Sequence, residues 1–150
     1  MSTLVLTLRE SVRYRGRSGH WSWVAHRLSG LAILLFLIIH VWETANARYS
    51  PGLYAWSIAV FKYPPVAVGE IPLVGAVFYH AFNGIRISIL DYKPELWKHQ
   101  QKSAAIVWVL FAIIFIPIAL FMLSEMGSHC SEVGPACWQF PRLADFGIGN

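Results

Sequence analysis

Five histidine and arginine side chains stand within long apolar stretches of this 150-residue sequence: His26, Arg27, His40, His80 and Arg86. An ionisable group at membrane depth costs free energy, so each of these side chains is a candidate for function. Neutral imidazole is a common axial ligand of haem iron, and it can also relay protons or form structural hydrogen bonds. The candidate chemistry is therefore metal ligation, proton transfer or anion binding inside a membrane.

His80 is the main candidate for a metal ligand. It lies eleven residues before Asp91, about 16 Å along a helix, which predicts a position well inside a bilayer. Gly84 follows it by four residues and leaves space on the same helix face. A haem needs a histidine, a flat clearance beside it and cations near its propionates, and Arg27 and Arg86 would supply the cations. The alternatives are a proton-relay histidine and a structural hydrogen bond.

His26 and Arg27 stand at the start of the first apolar stretch. Gly30 lies one turn after His26, so another helix or a flat cofactor can approach this face. Arg27 is interpreted either as a ligand for an anion, such as a cofactor carboxylate, or as an anchor whose guanidinium extends to the interface. On a helix, His40 would lie on nearly the same face as His26, offset by about 40° around the helix axis. It would lie about 21 Å further along that axis. It is either a metal ligand or a histidine bonded to another helix or to interfacial water.

Three apolar stretches predict the helices that position these side chains. They cover about residues 24–44, 66–90 and 104–123, and a helix that crosses about 30 Å of hydrocarbon needs about 20 residues. Hydrophobic residues make up 56% of the chain and charged residues 13%, which argues against a disordered chain and against a water-soluble globule. We expect an all-α membrane protein with three transmembrane helices. Because the chain has no complete set of catalytic residues, we expect it to form one part of a larger heteromeric helix bundle.

The distribution of lysine and arginine predicts the orientation, because these residues are enriched on the cytoplasmic side of a membrane. Arg48, Lys62 and Arg142 lie in the first connection and the tail. The other nine of the twelve lie in the N-terminal arm 1–23, at the start of the first span, or near the second connection: Arg9, Arg13, Arg15, Arg17, Arg27, Arg86, Lys93, Lys98 and Lys102. The N-terminus is therefore expected in the cytoplasm and the tail 124–150 outside. The basic excess is a topology signal, so no nucleic-acid partner is predicted.

The tail contains the two cysteines of the chain, Cys130 and Cys137, with six residues between them. A disulfide is compatible with an outer location, and two free thiols are equally compatible with the sequence. A zinc site has little support, because His129 is adjacent but no fourth ligand is evident.

Two motifs resemble the membrane-anchor cytochrome b subunit of succinate dehydrogenase, the succinate:quinone oxidoreductase of respiratory complex II. The first motif is His26-Arg27-Leu28-Ser29-Gly30, and the second is His80 followed by Asn83-Gly84-Ile85-Arg86 and Asp91. The resemblance covers about residues 13–123. The segment from Tyr14 to Trp23 is similar to the branch found in actinobacterial and related enzymes.

The resemblance implies a role for each matching residue. His80 would be an axial ligand of haem b, with the other ligand supplied by the second anchor subunit. Arg27 would lie near both the quinone and a haem propionate, and His26 near the propionates. Asp91 would lie near the quinone pocket at the cytoplasmic edge.

The sequence departs from the family pattern at two positions. Well-known members have a quinone-contacting serine four residues before the arginine, where this chain has Trp23. Ser22 and Ser29 are weaker candidates for that contact, so the quinone contacts are expected to be rearranged. His40 is absent from single-haem members, and it is either the ligand of a second, outer haem or incidental.

The resemblance also implies partners and a location in the inner membrane of a prokaryote. A flavoprotein subunit would oxidise succinate, an iron–sulfur subunit would carry the electrons, and menaquinone or ubiquinone would be reduced at the anchor. This chain would therefore hold no complete active site, and the whole complex could form a higher oligomer. The alternatives are the anchor of a fumarate reductase, a structural anchor without haem, and another b-type cytochrome such as a hydrogenase anchor.

Overall fold

The computed structural model describes residues 18–149, so the arm residues Arg9, Arg13, Arg15 and Arg17 lie outside the described part of the chain. Within the described part there are four α-helices: α1 (Ser18–Tyr49), α2 (Pro51–Phe61), α3 (Pro64–Tyr92) and α4 (Gln100–Val133). Short 3₁₀ segments connect or follow them at Pro94–His99, Gly134–Trp138 and Leu143–Phe146. Each of the three predicted spans falls within one long helix.

Three of these helices, α1, α3 and α4, are long and apolar enough to cross a membrane. They have 32, 29 and 34 residues, and a helix of about 20 residues already spans about 30 Å of hydrocarbon. Many large apolar side chains on α1 and α4 remain exposed, including Leu31, Leu34, Ile38, Ile113 and Leu120. Lipid solvates such side chains as well as a protein core does. The prediction of an all-α membrane protein is therefore confirmed.

Helix α3 lies between α1 and α4 and packs against both of them. A Cβ at Gly75 would lie 3.0 Å from the ring of Phe115, so the absence of a side chain lets α4 approach closely. Tyr79, one turn further along α3, is buried against Trp108, with 4.7 Å between the ring centroids. Helix α3 also packs along α1, and this interface carries the candidate site.

The chain between the first two long helices is itself helical, although the apolar pattern predicts only a connection between the spans 24–44 and 66–90. Helix α2 begins at Pro51, a residue whose fixed φ suits the first turn of a helix. With 11 residues in total, this apolar helix is too short to cross a bilayer. Helix α4 continues ten residues beyond position 123, the predicted end of the third span, and stops at Gly134, which has a φ of 67°.

The C-terminal tail folds back onto α2. Cys130 and Cys137 form a disulfide that ties the tail to the end of α4, which selects one of the two thiol states that the sequence leaves open. The indole Nε1 of Trp56 donates a hydrogen bond to the carbonyl of Pro141 at 3.0 Å. A Cβ at Gly52 would lie 2.8 Å from the carbonyl oxygen of Phe146, so the tail needs a glycine there. We call this region the α2 end of the bundle.

Candidate functional site

Two histidines meet where α1 crosses α3. The imidazole rings of His26 and His80 are parallel within 4°, and their centroids are 4.0 Å apart. A Cβ at Gly30 would lie 2.9 Å from Cε1 of His80, and a Cβ at Gly84 would lie 3.5 Å from Cε1 of His26. Gly30 therefore makes room for His80, whereas His26 lies at an ordinary contact distance from Gly84. The sequence predicts these clearances, but not that an imidazole of the same chain occupies them.

The His80 ring is held through its Nδ1 atom. This atom lies 3.1 Å from the backbone oxygen of His26 and 3.2 Å from Oγ of Ser29. A carbonyl oxygen can only accept, so the contact assigns the ring hydrogen to Nδ1 and leaves the lone pair on Nε2. Nε2 makes no hydrogen bond with any described residue, and this atom is not fully buried. A histidine held in this way is prepared to bind a metal through Nε2.

Arg27 lies one residue after His26 and points away from the helix interface. Its guanidinium carbon lies 4.0 Å from the centroid of the Trp23 ring, a cation–π contact. Both side chains are exposed, and Arg27 makes no hydrogen bond or ion pair with the residues that the structure describes. Its donors are therefore available to an anion, and the arrangement is also compatible with a membrane-interface anchor.

Arg86 is placed differently, because all three of its nitrogens donate within the chain. Nε donates to Oγ of Ser103 and Nη2 to the backbone oxygen of Gln100, both at 2.9 Å. Nη1 donates to Oδ1 of Asn83 at 3.1 Å. Arg86 therefore joins α3 to the start of α4, and its predicted contact with a haem propionate stays a prediction.

A buried polar network lies one turn before His26. Ser22 is only 2% exposed, and its hydroxyl donates to Oδ1 of Asn83 at 2.9 Å. The hydroxyl of Tyr79 donates to the backbone oxygen of Ser22 at 3.1 Å. Asn83 is fully buried, and its Nδ2 has no partner among the described residues. No sequence pattern predicts a role for Tyr79, and the only signal for Asn83 is its place in the second motif.

The remaining candidates lie away from the histidine pair. Asp91 is exposed near the end of α3. His40 is exposed in α1, where its ring stacks on that of Phe36 at 5.3 Å. With Glu43 and Glu70, it lines a cavity of about 320 Å³ towards the α2 end of the bundle. No cluster of three or more histidine, cysteine or acidic side chains that could hold a metal ion occurs within residues 18–149.

Comparison with known proteins gives consistent matches. The profile of the family described as succinate dehydrogenase/fumarate reductase transmembrane subunit matches residues 8–119. The succinate dehydrogenase 2 membrane subunit SdhC of Mycobacterium tuberculosis is 39% identical over 116 residues, which cover 77% of this chain and 85% of that protein. A succinate dehydrogenase hydrophobic membrane anchor subunit of Halobacterium salinarum is 25% identical over 100 residues, covering 66% of this chain and 76% of that protein.

The three long apolar helices, together with these matches, define a helical membrane-anchor subunit of an oxidoreductase complex. The chain belongs to the succinate dehydrogenase/fumarate reductase transmembrane subunit family. The predicted resemblance is therefore confirmed. As a membrane subunit, the chain works as part of a complex with other subunits.

Proposed function

We propose that this chain binds haem b through Nε2 of His80 and forms part of the quinone-reduction site of a succinate:quinone oxidoreductase. The observation that carries the proposal is the state of the His80 ring, whose Nδ1 is held by the His26 carbonyl while Nε2 has no partner among the described residues. Histidines that ligate metals nearly always donate their other ring N–H to a carbonyl, a carboxylate or water. The donor set therefore fits an axial ligand of haem iron.

The surroundings of His80 also suit a flat anionic cofactor. His26 places a parallel ring beside the ligand, and Arg27 offers a guanidinium that makes no hydrogen bond or ion pair with the described residues. Arg27 would neutralise and bind the propionates, and His26 would lie beside them. When bound, haem b would hold one electron at a time between the iron–sulfur subunit and the quinone. The second axial ligand would come from the second anchor subunit.

The proposed quinone pocket lies at the start of α1 and the end of α3. Arg27 would stabilise the negative charge that develops on a quinone oxygen during reduction, and Trp23 would hold its guanidinium in place. Asp91 would lie at the edge of the same pocket. Ser22 and Ser29 are poorer candidates for a direct contact, because both are buried and already hydrogen-bonded.

The proposal includes the orientation and the partners. Disulfides persist in oxidising compartments, so the Cys130–Cys137 bridge supports an outer location for the α2 end. The connection between α3 and α4 would then face the cytoplasm, where iron–sulfur and flavoprotein subunits would deliver electrons from succinate. The names of the related proteins favour succinate oxidation over fumarate reduction.

The ratio of haem to protein in the purified complex tests the proposal. We expect haem b in the wild-type complex and its loss from a His80→Ala complex that still contains all subunits. Retention of haem in the His80→Ala complex would rule out His80 as a ligand, and a wild-type complex without a Soret band would identify a haem-free anchor.

His40→Ala serves as the comparison, because His40 stands apart from the histidine pair. An unchanged haem ratio in the His40→Ala complex would exclude His40 as a haem ligand. A ratio reduced by half would instead assign a second haem to the α2 end of the bundle.

A further inference from the structure

We propose that Ser29 is a positioning residue that, together with the carbonyl of His26, sets the reduction potential of the haem bound by His80. The inference rests on the proposed haem ligation. The identity of the axial ligand does not by itself determine the reduction potential. The hydrogen bonds on the far side of the imidazole ring also contribute to it.

Three hydrogen-bonding atoms form a closed triangle behind His80. Oγ of Ser29 donates to the backbone oxygen of His26 at 2.9 Å. Nδ1 of His80 lies 3.2 Å from that Oγ and 3.1 Å from the same carbonyl oxygen. A hydroxyl has one donor and two acceptor lone pairs. With its hydrogen directed to the carbonyl, the Ser29 hydroxyl can accept from Nδ1, so the ring N–H is shared between two acceptors.

The burial of Ser29 makes this arrangement specific. Ser29 is 7% exposed, so bulk water cannot readily replace its hydroxyl. The hydroxyl is also turned towards the helix interface rather than towards lipid or a pocket. Its bonds to His26 and His80 leave little capacity for a quinone, and this distinguishes a positioning role from the direct contact that the sequence suggests for Ser29.

The expected consequence follows from the electronics of imidazole. An acceptor at Nδ1 increases the electron density at Nε2 and makes the nitrogen a more basic ligand. A more basic axial ligand stabilises ferric over ferrous iron, and so lowers the reduction potential. With two acceptors at Nδ1, the potential is expected to be lower than with the carbonyl alone.

The test compares Ser29→Ala with Ser124→Ala in the whole purified complex. The hydroxyl of Ser124 donates to the backbone oxygen of Phe121 at 2.7 Å, the same i−3 pattern as in Ser29, but no histidine contact is present. The measurement is a redox titration of the haem b absorption band, with the haem-to-protein ratio measured in parallel. We expect Ser29→Ala to keep its haem and to shift to a higher potential, while Ser124→Ala matches the wild type.

A third variant separates the hydroxyl from the shape of the side chain. Threonine keeps a hydroxyl that can bond the i−3 carbonyl, so Ser29→Thr is expected to retain the wild-type potential. A Ser29→Ala complex with the potential of the Ser124→Ala control would overturn the inference, and so would a Ser29→Thr complex with the potential of the alanine variant. Either result leaves the haem in place, whereas absence of haem from the wild-type complex would contradict the proposed function itself.

Discussion

His26 and His80 stack face to face across the α1–α3 interface, and each ring lies over the glycine that follows the other histidine by four residues. The two motifs therefore pack against each other as one unit, in which Gly30 of the first motif leaves space for His80 of the second. Close packing of this kind fixes the position of both rings, and a metal ligand requires such a fixed position.

The two glycines are not equally sensitive to a side chain. A Cβ at Gly30 would come within 2.9 Å of His80, a distance that forces the ring to move, whereas the 3.5 Å at Gly84 is an ordinary contact. We expect Gly30→Ala to lower the haem ratio and to destabilise the complex by about 1–3 kcal/mol, the usual effect of overpacking. Gly84→Ala should retain haem.

Gly69→Ala is the control for helix propensity, since a Cβ at this position would meet no other atom within 4 Å. The haem absorbance and the thermal unfolding of the three complexes can be measured side by side. Equal haem ratios for Gly30→Ala and Gly69→Ala would show that the close approach to His80 does not control ligation.

Arg27 is expected to act on the quinone rather than on assembly. Its guanidinium is exposed and bonded to no described residue, so Arg27→Ala should leave the helices packed. Loss of one donor to a developing oxyanion typically reduces kcat by about 10²–10³-fold, and we expect a fall of this order in succinate:quinone reductase activity. Arg27→Lys should recover only part of it, because lysine lacks the planar group that stacks on Trp23.

The activity with a water-soluble artificial electron acceptor measures the flavoprotein separately and should not change in the Arg27 variants. Arg48→Ala, at the other end of α1, provides the matched loss of one arginine. If Arg27→Ala preserves both the quinone reductase activity and the haem content, the assigned role is wrong.

The buried network around Asn83 is expected to contribute to stability. Asn83→Ala removes the acceptor for both Ser22 and Arg86 at a position with no access to solvent. An unsatisfied buried partner costs about 1–3 kcal/mol, so the thermal unfolding temperature of the complex should fall. Ser88→Ala is the control, because its exposed hydroxyl bonds only to its own helix; a similar small effect for both variants would contradict a structural role for the network.

The sequence predicts one part of this architecture well, for a physical reason. A helix that crosses a bilayer needs about 20 predominantly apolar residues, so the three long helices can be recognised in the sequence. The i, i+4 spacing of His80 and Gly84 follows from the helical period. Helix α2 is missed as an element because, with 11 residues in total, it is too short to indicate a span.

The contacts between helices could not be predicted in the same way. The pairing of Gly30 with His80 depends on how far α1 is shifted along α3, and no local pattern specifies that shift. The same holds for Arg86, whose bonds to Gln100 and Ser103 form only after α4 has packed. The sequence therefore indicates Arg86 as an anion partner without revealing its acceptors within the chain.

The orientation of the chain can be tested with two single substitutions at exposed acidic residues, Glu95→Cys in the α3–α4 connection and Asp145→Cys in the tail. Lysine and arginine predict a cytoplasmic connection, so a membrane-impermeant maleimide should label Asp145→Cys in intact cells but Glu95→Cys only after permeabilisation. The wild-type chain is the control and should remain unlabelled, because Cys130 and Cys137 are joined. Labelling of Glu95→Cys in intact cells would reverse the orientation and move the quinone pocket to the outer side.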